Sequence, residues 1–380
     1  MKESDLSSFT AIYWPGIMIT LLIAIFVSMM TLQSSLWKKL GASSSANDVG
    51  MPPRVFHHII PPKFGPAVLS NVTLREFILH PDGIHLALAP AFFGFFAQFG
   101  VMQAWEEELS HPPESDTTTN TVVSIFDSQI RALAGCSAGA MTAVLISSGI
   151  RPTAAAKFCS TVSLDQFADP PGFLGLFRGD LFLNLMRDFM RKEKPHHSLQ
   201  LQDSSNIPIA VTAFDLKSMS GKVLTRGSMP LAARASACFP FLFQPVSWSE
   251  KHEIGGNSMN YFLVDGGITD PWGLEGLSAF TSTRPQRVVH IAVGDYDGHR
   301  GPKNMPKGVI ASEVVSISIR NTPRAGPLAM ENGPKALEAS RLAMLATLDL
   351  PMYRGREEGH YIIHVDTTNF IPTTAKNNRN

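Results

Sequence analysis

The sequence has few of the features that mark metal, nucleotide or nucleic-acid chemistry. Its three cysteines, Cys136, Cys159 and Cys238, lie in apolar stretches and lack the spacing of metal ligands. It contains no Walker loop, dinucleotide fingerprint or zinc motif. Lys and Arg together number 32, as do Asp and Glu, so the formal net charge is zero and gives no bulk attraction to nucleic acid. We therefore expect no metal, no cofactor and no nucleic-acid partner.

What the sequence does contain is a serine between two glycines, in the pattern G-x-S-x-G at residues 135–139. The apolar run at 130–134 predicts a buried strand, and the small and aliphatic run at 140–146 predicts a helix. A strand that turns into a helix at one residue places the Ser137 hydroxyl at the apex on strained backbone. Such a turn needs very small neighbours, here Gly135 and Gly139, and the helix N-terminus offers amide donors to an oxyanion. Ser137 is therefore the candidate nucleophile.

Two other interpretations of this segment stay open. One is that Ser137 only caps the helix, since serine is a favoured N-cap residue, although capping does not require glycine on both sides. The other is that Cys136 is the nucleophile, because its neighbours Ala134 and Ala138 are also small. The glycines, however, are centred on Ser137, and a buried cysteine behaves as a small hydrophobic residue.

A candidate base lies at the end of a second apolar run, residues 261–265. Asp265 stands where the predicted strand gives way to a loop, and Gly266 and Gly267 permit a tight turn with another backbone close by. Burial of a carboxylate at such a position partly desolvates it and makes it more basic. The alternative is an ordinary Asp-Gly turn between strands, as expected at Asp82.

Several segments resemble the patatin-like lipid acyl hydrolases and follow the order of that family across residues 83–295. They are the strand at 86–89, the helix around 99–107, the FRGD segment at 177–180, the strand at 207–216 and the RASACFP segment with its continuation at 234–246. The resemblance implies a Ser–Asp dyad without histidine that acts on acyl esters of lipids, with Ser137 as nucleophile and Asp265 as base. Together with the alternation of strands and helices, it predicts a three-layer α/β fold. The central sheet should be largely parallel, with helices on both faces and the site at the strand carboxyl ends.

One departure from the family concerns its glycine-rich loop, close to G-G-G-x-[RK]-G, whose amides form the oxyanion hole. Residues 89–94 here read APAFFG, so only Gly94 remains of the cluster, no Arg or Lys is present, and Pro90 has no amide to donate. Any other residue can donate, so we expect the amides of Ala91, Phe92 and Gly94 to form the hole. Loss of one donor typically costs about 10²–10³ in rate. A catalytically silent relative that binds lipid or a partner protein is therefore an alternative.

Another alternative is an α/β-hydrolase esterase, whose triad follows the order Ser, Asp or Glu, His. His290, His360 and His364 lie downstream of the serine and are candidates for its base. His290 and His364 lie in predicted apolar strands, which is typical of core histidines. This interpretation also leaves the family-like segments around Arg178 and Arg234 unexplained.

The N-terminal region carries the longest apolar run. Residues 6–37 contain no charged side chain, and about 20 apolar residues suffice for a helix to cross a bilayer. We therefore expect residues 1–40 to form a transmembrane anchor. Lys38 and Lys39 follow directly, so the positive-inside rule puts the catalytic domain on the cytosolic side. A cleaved peptide that targets an organelle or the secretory route is the alternative, supported by the small residues at 42–46.

The rest of the chain divides by composition. Residues 41–66 are rich in Ser, Gly and Pro and are predicted to be a linker, 67–370 the catalytic domain, and 371–380 a polar tail. The sequence thus predicts a membrane-associated serine lipid acyl hydrolase, of phospholipase A or lipase type, that works through an acyl-enzyme. Its expected substrates are membrane lipids, either phospholipid or neutral glycerolipid. No motif indicates a protein partner.

Overall fold

The computed structural model describes residues 68–110, 123–172, 174–203, 207–251, 258–280, 286–294, 305–306, 309–327, 329–355 and 357–371. The expected anchor at 1–40, the linker at 41–66 and all but the first residue of the tail at 371–380 lie outside these residues. Within the described part of the chain, no helix combines the length and the apolar character needed to cross a bilayer.

Strands and helices alternate along most of the chain, as expected for an α/β fold. The strands are β1 (Leu69–Thr73), β2 (Ile84–Leu88), β3 (Ile130–Cys136), β4 (Gly175–Phe177), β5 (Ile209–Asp215), β6 (Ser220–Leu224), β7 (Phe241–Phe243), β8 (Val246–Lys251), β9 (Ser258–Asp265), β10 (Gln286–Val293), β11 (Ala311–Arg320), β12 (Pro351–Arg354) and β13 (His360–Asp366). The α-helices are α1 (Leu74–Ile78), α2 (Phe95–Leu109), α3 (Ile125–Ser128), α4 (Ala138–Ser147), α5 (Pro152–Thr161), α6 (Leu164–Phe167), α7 (Asp180–Glu193), α8 (Met229–Ser236) and α9 (Asn332–Thr347). Short 3-10 helices cover Gly266–Ile268, Glu275–Phe280 and Thr368–Phe370.

One large sheet organises the molecule. It has 11 strands in the order β1-β12-β13-β11-β10-β2-β3-β5-β9-β8, with β6 also paired to β5. The central strands from β13 to β5 run parallel to their neighbours. The outer pairs, β1–β12, β12–β13, β5–β6, β5–β9 and β8–β9, are antiparallel. The predicted largely parallel α/β sheet is therefore confirmed, with antiparallel strands added at both edges.

The central strands are mostly apolar because both of their faces are covered. In β5, every residue from Ile209 to Asp215 is buried. Side chains alternate between the faces, so Leu133 packs in the main core while its neighbour Ala134 belongs to a second, smaller one. The main core is formed against α-helices, with Val144 of α4 and Met344 of α9 among its buried residues.

The opposite face of the sheet is covered differently from the expectation. Its core combines Ala87, Ala134 and Val288 of the sheet with Leu274 and Leu277. Among the described residues, the 3-10 helix Glu275–Phe280 and the loop before it form this layer, so the expected α-helices are seen on one face only. The small side chains of the strands explain the close approach, since a Cβ added to Gly276 would lie 3.0 Å from the Cβ of Ala134.

A separate two-stranded parallel sheet, β4 with β7, lies beside the carboxyl ends of the central strands. Leu242 and Phe243 of β7 pack with Phe167 of α6 and with Phe214 and Val264 from the ends of β5 and β9. This unit and α7 cover the edge of the sheet where the parallel strands end with apolar side chains. In such folds, this edge is the usual place for an active or binding site.

Candidate active site

Ser137 lies at a sharp turn between β3, which ends at Cys136, and α4, which begins at Ala138. Its backbone has φ 53° and ψ −120°, a sparsely populated conformation for a residue with a side chain. A Cβ on Gly135 would lie 2.5 Å from the carbonyl oxygen of Gly139, and a Cβ on Gly139 would overlap the carbonyl of Leu88. Both positions therefore require glycine, and the turn has the geometry that the sequence motif predicts.

The structure brings Ser137 and Asp265 together although 128 positions separate them. Ser137 Oγ donates a hydrogen bond of 2.6 Å to Asp265 Oδ2. The other carboxylate oxygen accepts the Gly267 amide at 2.8 Å, and the Asp265 amide donates to the Cys238 carbonyl at 2.9 Å. Both residues are 6% exposed. The carboxylate is thus oriented on both of its oxygens and directed at the serine.

The register of the sheet explains this meeting. Cys136 at the end of β3 pairs with Thr212 of β5, and the next residue of β5, Ala213, pairs with Asp265. Because β9 is antiparallel to β5, its last residue comes back to the level at which the parallel strands end. The Asp-Gly-Gly turn fits there closely, since a Cβ on Gly266 would overlap the carbonyl of Thr212. Asp265 is therefore placed by strand pairing as well as by its turn.

Burial raises the pKa of Asp265 to about 6, and the hydrogen bonds from Ser137 and Gly267 partly oppose this increase. Such a carboxylate is ionised at neutral pH and is more basic than an ordinary one. Cys136 is different, because it is fully buried and its burial raises the pKa of the thiol well above the usual value. The thiol stays protonated, so the environment favours the serine over the cysteine as nucleophile.

The loop at 89–94 lies next to the Asp-Gly-Gly turn, since a Cβ on Gly267 would be 3.3 Å from Pro90. The amide of Gly94 donates to the carbonyl of Ala91 at 2.6 Å. It is therefore committed to a turn, and the expectation that it helps form an oxyanion hole needs correction. Within the described part of the chain, the amides of Ala91 and Phe92 donate to no protein acceptor, and Phe92 lines the same cavity as Ser137.

A further amide donor was not singled out from the sequence. Ala138 is the first residue of α4, directly after Ser137, and its amide likewise has no protein acceptor among the described residues. The amide that follows a nucleophile at a strand–helix turn commonly serves an oxyanion. The G-x-S-x-G motif therefore also indicates this donor. Ala91, Phe92 and Ala138 are thus the residues whose amides could donate to an oxyanion.

Ser137 and Asp265 open into an apolar cavity. They are the two polar side chains among the described residues that line it. The others are apolar: Phe92, Phe93, Phe95, Met141, Phe158, Cys159, Val162, Phe167, Phe182, Leu185, Met186, Ala237, Phe239, Leu242, Phe243 and Met330. A cavity with this lining suits a hydrocarbon group next to one reactive centre.

These features can be set beside known proteins. Residues 86–277, just over half of the chain, match the family model of the patatin-like phospholipases. The chain belongs to the patatin-like phospholipase family. The matched segment contains the elbow, α7, the segment at 234–246 and Asp265, so the site of this patatin-like protein lies within the part that defines the family.

Solved structures show a weaker likeness. The crystal structure of VipD from Legionella pneumophila aligns with a TM-score of 0.35 and 12% identity, covering 78% of this chain and 64% of that one. A complex of SpcU with full-length ExoU from the type III secretion system of Pseudomonas aeruginosa aligns with a TM-score of 0.36 and 14% identity, covering 72% and 54%. The patatin-like chain thus spans less than two thirds of these proteins. Among curated proteins, none matches it significantly.

No histidine among the described residues lines the cavity of this patatin-like protein. His290 packs on the far face of the sheet against Trp272, and burial lowers its pKa to about 4. His360 shares a hydrogen bond of 3.0 Å with Ser316, and the ring of His364 lies beside that of Tyr353. None of these three histidines is therefore placed to act as the base of a Ser-Asp-His triad. The described residues also contain no cluster of His, Cys, Asp or Glu suited to a metal ion.

Proposed function

We propose that this protein is a serine lipid acyl hydrolase in which Ser137 attacks the ester and Asp265 is the general base. The observation that carries the proposal is the contact of 2.6 Å between Ser137 Oγ and Asp265 Oδ2 at the wall of an otherwise apolar cavity. Membership of the patatin-like phospholipase family supports lipid esters as the substrate class.

The chemistry follows from the positions of these groups. Asp265 takes the hydroxyl proton as Ser137 Oγ bonds to the carbonyl carbon, and the negative charge moves to the carbonyl oxygen. The amides of Ala91, Phe92 and Ala138 are the donors that we assign to this oxyanion. Collapse breaks the ester C–O bond, and the proton on Asp265 passes to the leaving alcohol. Water then attacks the acyl-enzyme, with Asp265 again as base, which releases the fatty acid and restores Ser137.

The cavity suggests how the lipid binds. Its aromatic and aliphatic lining would hold the acyl chain and leave the alcohol part of the lipid towards the mouth, so the reaction is of phospholipase A or lipase type. The apolar run at residues 6–37 supports an additional proposal, a membrane anchor that keeps the enzyme on its substrate, with the catalytic domain in the cytosol.

A catalytically silent protein that holds lipid in the same cavity is the second candidate. The observation that favours it is the loop at 89–94, where the glycines of the family are replaced and the Gly94 amide is already bonded to Ala91. Such a protein would retain the cavity and the Ser–Asp contact but would lack sufficient stabilisation of the oxyanion.

Labelling of the full-length protein with a fluorophosphonate, with hydrolysis of short-chain and phospholipid esters in parallel, tests the proposal. We expect labelling and hydrolysis in the parent protein, loss of both in Ser137→Ala, and retention in Cys136→Ser, which serves as the matched neighbour control. A folded parent that neither labels nor hydrolyses any ester favours the silent protein. Labelling that survives in Ser137→Ala and disappears in Cys136→Ser would overturn the assignment of the nucleophile.

A further inference from the structure

A buried hydroxyl outside the Ser–Asp pair holds the backbone of the candidate nucleophile. The amide of Ser137 donates to Ser236 Oγ at 2.8 Å, and Ser236 Oγ donates to the carbonyl of Thr212 at 2.6 Å. Ser236 has no solvent exposure. A hydroxyl has one proton to donate, and here that proton is directed to Thr212. Ser236 therefore receives the Ser137 amide as an acceptor, which fixes the direction of both hydrogen bonds.

The same short segment also holds the candidate base. Two residues after Ser236, the carbonyl of Cys238 accepts the amide of Asp265 at 2.9 Å. Residues 236–238 thus bind the backbone amides of both members of the pair, and Ala237 between them lines the cavity. A single short segment therefore holds the backbone of both the serine and the carboxylate.

We propose that Ser236 is a positioning residue that holds Ser137 in its strained conformation with Oγ directed at Asp265. This inference rests on the proposed Ser–Asp chemistry. A residue at φ 53° and ψ −120° keeps that conformation only where its surroundings enforce it. Without the Ser236 hydroxyl, the Ser137 amide becomes a buried donor without a partner. Rotation of the turn would relieve this and would move Oγ away from the carboxylate.

The action of Ser236 is expected to go through Ser137 and not through the substrate. The described residues that line the cavity do not include Ser236, so its loss should change the rate of attack more than the binding of ester. A misplacement of about 1 Å can reduce the rate about 10²-fold. This predicts a lower kcat per folded molecule with little change in KM.

The test compares Ser236→Ala with Ser147→Ala in the full-length protein. Ser147 is a matched control because it is also a buried serine and also donates to a carbonyl at 2.6 Å, that of Ile207. It ends α4, the helix that follows Ser137, and therefore lies far from the turn. We expect Ser236→Ala to lower kcat and the rate of fluorophosphonate labelling about 10²-fold with KM unchanged, and Ser147→Ala to change neither. Ser236→Cys, which keeps a weak donor and acceptor, should fall between them.

Hydrogen exchange of the Ser137 amide gives a readout that does not depend on catalysis. We expect faster exchange in Ser236→Ala than in Ser147→Ala or the parent. A folded Ser236→Ala protein with kcat and exchange equal to those of Ser147→Ala overturns the inference. If Ser236→Ala does not fold, the test uses Ser236→Cys instead. A Ser236→Cys protein with the kcat and the exchange rate of the parent overturns the inference. A parent without hydrolysis or labelling contradicts the proposed function, whereas the exchange comparison still supports or overturns the positioning role.

Discussion

Replacement of Asp265 by asparagine should abolish turnover and, at the same time, stabilise the folded protein at alkaline pH. An amide is not basic at neutral pH, so the variant loses the proposed base. The stability effect has a separate cause. Burial raises the pKa of Asp265 from 3.8 to about 6, which means that the folded state binds the proton more tightly than the unfolded state does. At pH 8, where both states are ionised, the buried charge opposes folding.

The size of this effect follows from the difference between the two pKa values. A shift of about 2 units at about 1.36 kcal/mol per unit gives a penalty of about 3 kcal/mol at pH 8. The penalty shrinks as the pH falls through 6 towards 3.8, because the folded state takes up its proton first, and it is about 1 kcal/mol at pH 4.5. Asp265→Asn removes the free-energy penalty of the buried charge. The asparagine amide forms weaker hydrogen bonds with the donors of Ser137 and Gly267, which offsets about 1 kcal/mol of the stabilisation.

Urea unfolding of the parent and of Asp265→Asn at pH 8 and pH 4.5 measures this directly, with ester hydrolysis as the functional readout. We expect the variant to be inactive and more stable by about 2 kcal/mol at pH 8, with no gain at pH 4.5. An Asp265→Asn protein that is less stable than the parent at pH 8, or whose stability difference does not change with pH, would refute the assignment of a buried, ionised carboxylate.

Three further predictions concern the site and the fold around it. The kcat/KM of the parent should rise with pH through about 6 as Asp265 ionises. Asp270→Asn is the control, because burial raises the pKa of Asp270 to about 6 as well, yet its carboxylate binds loop amides outside the cavity; this variant should keep the pH profile of the parent. Gly139→Ala should destabilise the protein by about 2 kcal/mol or more and abolish fluorophosphonate labelling, because the new Cβ overlaps the carbonyl of Leu88; a labelled, stable variant would contradict this close packing. Arg234→Lys should lower the midpoint of thermal unfolding by several degrees, since an ammonium cannot reproduce the hydrogen bonds of the buried guanidinium to three carbonyls. An unchanged midpoint would show that these hydrogen bonds contribute little to stability.

Local features of the fold and of the site could be predicted from the sequence because local chemistry determines them. The apolar run before Ser137 predicts β3, and the small residues after it predict α4. The structure extends the strand by two residues and the helix by three. Asp265 was placed at the end of a strand because an apolar run stops there, and β9 ends at that residue.

Features that depend on pairing between distant segments could not be predicted in the same way. Nothing in residues 258–265 indicates that β9 runs antiparallel to β5, yet this direction is what brings Asp265 to the level of Ser137. The wall of the cavity could not be predicted either. Its residues come from α5, α7 and β7, and their apolar side chains do not differ in composition from those of an ordinary core. The role of the Ser236 hydroxyl depends on a contact across 99 positions and leaves no periodic signal.

The loop at 89–94 makes a left-handed turn at a residue that is not glycine. Phe92 has φ 50°, a left-handed conformation that glycine adopts freely and that costs a residue with a side chain about 1–3 kcal/mol. Its ring packs edge-on against Phe93 and Phe239, with centroid distances of 4.8 and 5.7 Å, and aromatic pairs of this kind contribute about 0.5–1.5 kcal/mol each. The buried Gln98 amide donates to the carbonyl of Ala89 at 2.9 Å and fixes the start of the loop. Packing thus offsets the strain. The absence of glycine at position 92 therefore does not prevent the loop from forming, and it does not exclude the amides of Ala91 and Phe92 from the oxyanion role that we propose for them.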